Sequence, residues 1–210
     1  MGIVILGAGG LAREVYWNVI ETNPSEKIIF LDDYTLKKDL YIAGKKFDVI
    51  TDWNFTNYSN FKFVIGVGDP TLKRTLVTRA LSSGLTASNT IIHPKATVQD
   101  CEIGVGGVIT AGCVVTTNVK IGNFVVLNLN STVGHDSNIH DFVQVNPGCH
   151  ISGNVTLEEG VSLGTGTTVI EKIKIAKNVK TGAQAAVVKD ILESGTYVGV
   201  PAKSLQKNKV

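Results

Sequence analysis

A six-residue repeat of aliphatic side chains runs through the second half of this chain and limits the possible folds more than any other feature. Stepping by six residues from Ile103 to Val187 meets an aliphatic residue at every position except Thr181. The residue two positions before each is small or medium-sized, so each repeat points two side chains into one interior. The repeated positions are Ile103, Ile109, Val115, Ile121, Leu127, Val133, Ile139, Val145, Ile151, Leu157, Leu163, Val169, Ile175, Thr181 and Val187.

A period of six residues excludes the two simplest regular structures. An α-helix places apolar residues about 3.6 positions apart and an amphipathic strand about two apart, whereas a short strand followed by a tight turn fits a period of six. Three such units form a triangular coil of about 18 residues, and successive coils stack about 4.8 Å apart through parallel-sheet hydrogen bonds. The run from Ile103 therefore predicts five coils of a parallel β-helix, preceded by an imperfect first coil that contains Ile92 and Val98.

Cysteines and glycines take defined places in this repeat. Cys101, Cys113 and Cys149 all fall at the small inward position. Cys113 and Cys149 would lie on one face two coils apart, about 10 Å, which is too far for a disulfide bond. We therefore expect reduced thiols that fill the core. Glycines often follow the aliphatic position, as at Gly104 and Gly164, and we interpret them as bends that need a permissive backbone.

Residues 1–88 show a different pattern, in which strands alternate with helices. Apolar strands are predicted at residues 3–6, 28–31 and 63–67, and a glycine loop followed by a helix comes after the first of them. This pattern predicts a small Rossmann-like α/β domain with a parallel sheet, whose ligands bind at the carboxyl ends of its strands. Residues 89–210 then form the β-helix domain with a short C-terminal extension.

The glycine loop predicts a phosphate site. Gly7, Gly9 and Ala12 match the dinucleotide-binding pattern G-x-G-x-x-A, but fewer than 90 residues precede the β-helix, too few for a complete two-halved dinucleotide fold. Glycines before a helix N-terminus suit any phosphate, so a nucleoside diphosphate fits equally well. Asp32 and Asp33 end the second strand and either hold the ribose or base or form a solvated turn.

Composition excludes several classes of function. The formal net charge is only +2, and no basic stripe indicates a nucleic-acid groove. No apolar run approaches the roughly 18 residues that a membrane span needs, and the first residues lack the regions of a signal peptide. We therefore expect no nucleic acid and no membrane among the partners, and a cytoplasmic location.

Six motifs in this order resemble one family over nearly the whole chain. They are GAGGLAREV, FLDD, IGVGDPTLKR, IIHPKATV, LNLNSTVGHDSNIHDFVQVNPGCHISGNV and YVGVPAK. The chain resembles the bacterial nucleotide-amino-sugar N-acetyltransferases of the sialic-acid O-acetyltransferase group, typified by the UDP-4-amino-sugar acetyltransferases. The resemblance implies a left-handed β-helix, a homotrimer with active sites between subunits, and acetyl-CoA in the groove between neighbouring helices. It also implies N-acetylation of a UDP-linked 4-amino-6-deoxy sugar.

The resemblance also implies residue roles. His135 would be the general base, and Asp136 would raise its basicity. Related enzymes often carry a histidine where this chain has Leu11 and another where it has Gln144, which leaves the particular sugar nucleotide open. The implied sugar-nucleotide positions are Gly9, Gly10, Leu11, Asp32, Asp33, Gly68 and Asn128. The implied coenzyme positions are Gln144, Gly153, Gly164 and Gly182.

The chemistry of acetyl transfer to an amine is consistent with these roles. A base must take the proton of the attacking nitrogen, and an imidazole beside a carboxylate can do so near neutral pH. The repeat places His135 two residues past the inward Val133, in an external turn that a neighbouring subunit could meet. Because the cysteines point inward, we expect direct transfer without an acetylated enzyme.

Three alternatives remain open from the sequence. One is acetylation of a hydroxyl group on a sugar or a sialic acid. Another is a zinc enzyme of the γ-carbonic-anhydrase type with His135 and His140 as ligands, but neither His93 nor His150 stands at the turn position of His135, so no metal is expected. The third is a non-catalytic trimeric scaffold that senses a nucleotide.

Overall fold

The computed structural model describes residues 2–34, 39–58 and 60–205, which form an N-terminal α/β domain and a β-helix. No helix in this described part is long and apolar enough to cross a membrane. The elements of the N-terminal domain are β1 (Gly2–Leu6), α1 (Gly10–Thr22), β2 (Lys27–Leu31), β3 (Asp39–Ile42), β4 (Lys45–Ile50), a 3₁₀ turn (Thr56–Tyr58), β5 (Phe61–Ile65), α2 (Pro70–Ser82) and β6 (Thr86–Ala87).

The N-terminal sheet has the strand order β3-β4-β2-β1-β5-β6 and is parallel except for the hairpin β3–β4, which the sequence analysis did not anticipate. All five residues of β1 are buried because both faces of the sheet are covered. Ile3 and Ile5 pack with α1 in one apolar cluster, and Val4 and Leu6 pack with α2 in another. The helices therefore lie on opposite faces, as in a Rossmann-like fold.

The β-helix consists of very short strands that form three parallel sheets, which we call faces 1, 2 and 3. Their order gives three corners, named 1–2, 2–3 and 3–1 by the faces they join. Face 1 holds β7 (Ile91–Ile92), β10 (Val108–Ile109), β13 (Val126–Leu127), β16 (Gln144–Val145), β19 (Ser162–Leu163), β22 (Lys180–Thr181), β24 (Thr196–Val198) and the antiparallel β25 (Lys203–Ser204). Face 2 holds β8 (Thr97–Val98), β11 (Val114–Val115), β14 (Thr132–Val133), β17 (His150–Ile151), β20 (Thr168–Val169) and β23 (Ala186–Val187). Face 3 holds β9 (Cys101–Ile103), β12 (Val119–Ile121), β15 (Asn138–Ile139), β18 (Thr156–Leu157) and β21 (Lys174–Ile175).

The core follows the predicted repeat. Every repeated position from Ile109 to Val187 is buried, and so are Cys113 and Cys149, while Cys101 is half-buried. The one polar position, Thr181, is satisfied by a 2.8 Å hydrogen bond to Thr167 across the interior. The architecture is a left-handed parallel β-helix after a small parallel α/β domain, so the predicted fold class is confirmed.

The turns correct one interpretation. Gly104 and Gly164 do not have positive φ; the left-handed residue is the third after the aliphatic position, as in Asn118 and Asn130. A Cβ on Gly164 would lie 2.6 Å from the backbone of Gly182, one coil further on, and Gly104 meets its own next coil in the same way. These glycines are therefore required by close stacking of successive turns and not by backbone freedom.

The N-terminal domain packs on face 1 and on corner 3–1. Val108 and Val126 of face 1 belong to the apolar clusters of the N-terminal domain. Phe124 and Phe142 occupy the left-handed turn position, with φ of 57° and 61°, which is unfavourable for bulky residues. Phe124 stacks on both Phe63 and Phe142, at 5.9 and 5.3 Å between ring centroids. Packing between the domains thus holds both residues in this conformation.

Candidate active site

His135 and Asp136 form a hydrogen-bonded pair on corner 2–3. His135 Nδ1 lies 2.7 Å from Asp136 Oδ2, and both side chains are exposed. Asn118, which stands one coil earlier at the same turn position, donates from Nδ2 to the other carboxylate oxygen at 3.2 Å. The hydrogen bonds from His135 and then from Asn118 lower the pKa of Asp136 below its usual value. Asp136 is therefore ionised at neutral pH and accepts a hydrogen bond from Nδ1–H of His135, which directs the lone pair of the neutral imidazole to Nε2.

The imidazole of His135 lies against the next coil at Gly153. A Cβ on Gly153 would stand 2.6 Å from both Cε1 and Nε2 of the ring. Any side chain at this position would displace the imidazole. The predicted coenzyme residue Gly153 is thus next to the predicted base.

The glycine loop and Asp32 meet at the carboxyl end of the N-terminal sheet. Asp32 Oδ2 accepts a hydrogen bond from the backbone N–H of Ala8 at 2.9 Å, and Oδ1 accepts one from Tyr34 N–H at 3.1 Å. A Cβ on Gly9 or Gly10 would have no atom within 4 Å, so the surface over the start of α1 is open. The loop and the positive end of α1 form an open site for an anionic group.

Asp33 is held by two residues that sequence analysis missed. Its Oδ2 accepts a 3.0 Å hydrogen bond from Trp53 Nε1 and pairs with the guanidinium of Arg79. Arg79 also lies over the Trp53 ring, 4.4 Å from its centroid. The hydrogen bond from Trp53 and the charge of Arg79 lower the pKa of Asp33. Asp32, Asp33, Leu72 and Arg79 line a cavity of about 370 Å³ beside the glycine loop.

At Gly68, the edge of the N-terminal domain that carries the glycine loop lies against face 1. We call this edge, with the residues of the β-helix that contact it, the acceptor half of the site. A Cβ on Gly68 would lie 3.6 Å from Cδ of Gln144 and 3.8 Å from Cδ2 of Leu11. Gln144 Nε2 donates to Asn146 Oδ1 at 3.2 Å, and Asn128 stands one coil before Asn146 on corner 1–2. The resemblance implied that Gln144 contacts the coenzyme, but the structure places it beside two residues implied to hold the sugar nucleotide.

The predicted coenzyme residues do not come together within one copy. Gly164 and Gly182 stack on corner 1–2, Gly153 lies on corner 2–3 and Gln144 lies on face 1. In a triangular coil, corner 2–3 is opposite face 1, where the N-terminal domain sits. Within one copy, His135 and the glycine loop therefore lie on opposite sides of the β-helix.

Zinc and thiol chemistry receive no support from the described residues. His140 lies near corner 3–1 and His135 on corner 2–3, and no group of three or more His, Cys, Asp or Glu in the described part could hold a metal ion. Burial raises the pKa of all three cysteine thiols, that of Cys149 to about 11. Protonated, inward thiols are poor nucleophiles.

Comparisons with known proteins find relatives of this chain. Residues 2–80 match the family model of the PglD N-terminal domain. A curated GDP-perosamine N-acetyltransferase from Escherichia coli O157:H7 is 29% identical over 150 residues, which span 66% of this chain and 64% of that protein's length.

Two solved structures match over almost their full length. A perosamine N-acetyltransferase from Caulobacter crescentus, a mutant with histidine replaced by asparagine in complex with CoA and GDP-perosamine, is 25% identical with a TM-score of 0.88, covering 99% of this chain and 98% of that one. The acetyltransferase domain of PglB from Neisseria gonorrhoeae FA1090, in complex with acetyl coenzyme A, is 31% identical with a TM-score of 0.85, covering 97% and 98%.

The similarity to the acetyltransferase domain of PglB, at 31% identity over 98% of that domain, shows that this β-helix protein is a hexapeptide-repeat acyltransferase. Within that class, the chain belongs to the family of acetyl-CoA-dependent sugar N-acetyltransferases.

Proposed function

We propose that this protein transfers the acetyl group of acetyl-CoA to the amino group of a nucleoside-diphosphate-linked 4-amino-6-deoxy sugar, with His135 as general base. The observation that carries the proposal is the His135–Asp136 pair, in which Nδ1 is hydrogen-bonded to the carboxylate and Nε2 remains available on an exposed corner. The bound molecules named for the Caulobacter enzyme, CoA and GDP-perosamine, support the two substrate classes. UDP is the nucleotide that the family resemblance implied, and GDP is the nucleotide of that relative.

The residues of this chain have separate roles in the proposed reaction. Acetyl-CoA supplies an activated acetyl thioester. The glycine loop with Gly9 and Gly10 binds the diphosphate, and Asp32 orders that loop. His135 Nε2 takes the proton as the amine nitrogen attacks, and Asp136 stabilises the imidazolium that results. The coenzyme positions of the proposal are Gly153, Gly164 and Gly182. The sugar-nucleotide positions also include Leu11, Asp33, Gly68 and Asn128, and Gln144, which the resemblance gave to the coenzyme, lies beside Gly68 and Leu11 and joins them.

The active site of the proposal lies between copies of a homotrimer. Face 2 and its two corners carry exposed apolar side chains, at Val114, Leu129, Ile170 and Val188. Face 3 instead carries charged residues such as Glu102 and Lys120. Association through face 2 would bring corner 2–3 of one copy toward corner 1–2 of the next, which unites His135 with Asn128 and the glycine loop.

The proposal is tested by a screen of UDP- and GDP-linked 4-amino-6-deoxy sugars with acetyl-CoA, followed by release of free thiol. We expect turnover with one amino sugar and a loss of about 10²-fold to 10⁴-fold in kcat for His135→Ala. The matched control is His140→Ala, on another corner, which should retain activity. Undiminished transfer by His135→Ala would exclude it as the base, and a strong preference for a hydroxyl acceptor would exclude N-acetylation.

A further inference from the structure

Gln144 has a buried carboxamide oxygen without a hydrogen-bond donor. Its side chain is 2% exposed, and Oε1 has no partner within the described part of the chain. A buried acceptor left in this state loses its hydration without a compensating hydrogen bond, which destabilises the protein. Because nearly all buried polar groups in proteins are paired, such an atom calls for a ligand that supplies the donor.

The hydrogen-bond chain around Gln144 determines which end of the carboxamide is free. The backbone oxygen of Leu163 can only accept, so Asn146 turns Nδ2 toward it, at 2.8 Å. The side chain of Asn146 therefore points Oδ1 toward Gln144. Gln144 donates a hydrogen bond to this oxygen from Nε2, at 3.2 Å. The carboxamide oxygen of Gln144, Oε1, is therefore the atom left without a hydrogen-bond partner among the described residues.

This oxygen faces the acceptor half of the site. A Cβ on Gly68 would lie 3.7 Å from Gln144 Oε1, with Leu11 equally near the same point. Gly68 follows β5 at the carboxyl edge of the sheet, where the glycine loop also ends. A group that reaches Oε1 therefore comes from the molecule bound by the N-terminal domain.

We propose that Gln144 Oε1 accepts a hydrogen bond from the reacting amino group and makes this protein select an amine over a hydroxyl. This inference rests on the proposed function. A neutral primary amine has two N–H groups: one can stay on Gln144 while nitrogen attacks the thioester carbon, and the other proton passes to His135 as the coenzyme thiolate leaves. A hydroxyl has a single proton. If that proton points to Gln144, no proton faces the base. If the proton faces the base, the hydroxyl oxygen and Gln144 Oε1 lie next to each other with no proton between them and repel.

The test uses matched sugar pairs that differ only at carbon 4: GDP-perosamine against GDP-rhamnose, and the UDP-linked 4-amino-6-deoxy sugar against its 4-hydroxy counterpart. Wild type should favour the amine in kcat/KM, and Gln144→Met should reduce that ratio at least about 10-fold with an unchanged KM for acetyl-CoA. Asn146→Leu, which frees the carboxamide to turn, should reduce the ratio to an intermediate degree. An unchanged ratio, or a raised KM for acetyl-CoA alone, would overturn the proposal.

A binding experiment separates this inference from the proposed function. Calorimetric titration of wild type and Gln144→Met with each sugar pair, without acetyl-CoA, measures the preference for the amine in the absence of turnover. Because an amine satisfies two acceptors and a hydroxyl only one, we expect the preference to fall with Gln144→Met and also with His135→Ala, each of which leaves a single acceptor. Equal binding of both members of each pair by wild type would refute the role of Gln144 even if acetyl transfer is observed. Gln144→Asn keeps a carboxamide but shortens its reach. If it folds and also loses the preference for the amine, the loss with Gln144→Met does not come from misfolding.

Discussion

The two halves of the proposed site differ in how their side chains are held. On the β-helix, His135 is exposed and is held by the regular stacking of coils, with Asn118 and Asp136 on one side and Gly153 on the other. Between the domains, Gln144 and Lys73 are buried and incompletely hydrogen-bonded. The coil stacking thus supplies the contacts that hold His135, whereas the acceptor half depends on buried polar groups that cost stability. Substitutions should therefore affect activity alone in the first half and stability or selectivity in the second.

Among substitutions that keep both His135 and Asp32, the largest effect is expected from Gly153→Ala. The new methyl group would stand 2.6 Å from the imidazole of His135 and push it out of position, although φ at this residue is ordinary. Because a displacement of about 1 Å can lower a rate about 10²-fold, kcat should fall by at least that factor without loss of thermal stability. Ser152→Ala, one residue earlier, is the control and should retain activity. An active Gly153→Ala would show that the corner tolerates a movable base.

A smaller loss is expected from Asp136→Asn, which retains the shape but removes the charge opposite His135. The carboxylate is ionised because His135 and Asn118 lower its pKa, so the substitution removes a charge that stabilises the imidazolium. Since the pair is exposed to solvent, we expect kcat to fall about 10-fold to 100-fold, well below the effect in a buried triad. A melting temperature within about 2 °C of wild type would confirm that substitutions on this corner change activity without changing stability. A large drop in melting temperature would contradict the difference between the two halves of the site.

Lys73 tests whether buried polar groups in the acceptor half lower the stability of the protein. Its side chain is fully buried, donates to the backbone oxygen of Val143 at 3.2 Å, and has a pKa that burial lowers to about 7 against a partial offset by Asp69. Between that value and the ordinary pKa near 10.5, the unfolded chain binds more protons, so the free energy of unfolding should rise with pH by up to about 1.4 kcal/mol per unit.

Lys73→Met removes this dependence. Val143 O keeps a second hydrogen bond, from Val126 N–H, so the substitution leaves no orphaned carbonyl. Urea unfolding should show the variant more stable than wild type near pH 7, with the difference shrinking toward pH 10. A difference that does not change with pH would mean that Lys73 is solvated in the native protein.

The smallest effect on activity is expected from Cys149→Ala. The thiol is buried, its pKa is raised to about 11, and its Sγ lies 3.1 Å from Gly164 O. The substitution should lower stability by about 1–2 kcal/mol with no change in kcat, since the proposed transfer is direct and uses no thiol. Incubation of wild type with radiolabelled acetyl-CoA alone should label no protein; a stoichiometric label lost in the variant would indicate a covalent intermediate.

The β-helix was predictable because a strict period determines which side chains point inward. The same register placed His135 on an external turn, and stepping back one coil from Asp136 would also have found Asn118. The reason given for Gly104 and Gly164 was wrong, since their spacing reflects close stacking and not positive φ. Close approach between coils has no signature in a single turn.

The acceptor half was only partly predictable. The glycine loop and Asp32 are local features, but the partners of Asp33 come from residues 20 and 46 positions away and meet only when α2 packs on the sheet. Gln144 lies beside Gly68 because the whole N-terminal domain sits on face 1, and no local pattern encodes that docking.

The central claim, that each active site combines two copies, is tested most directly by subunit mixing. His135→Ala lacks the base, and Asp32→Ala lacks the carboxylate that holds the glycine loop, so each variant alone should be nearly inactive. After the two are unfolded together and refolded at equal amounts, random assembly should restore about a quarter of wild-type kcat, because about one interface in four joins an intact corner to an intact acceptor half. A mixture as inactive as its components would place both halves in one copy and contradict the account.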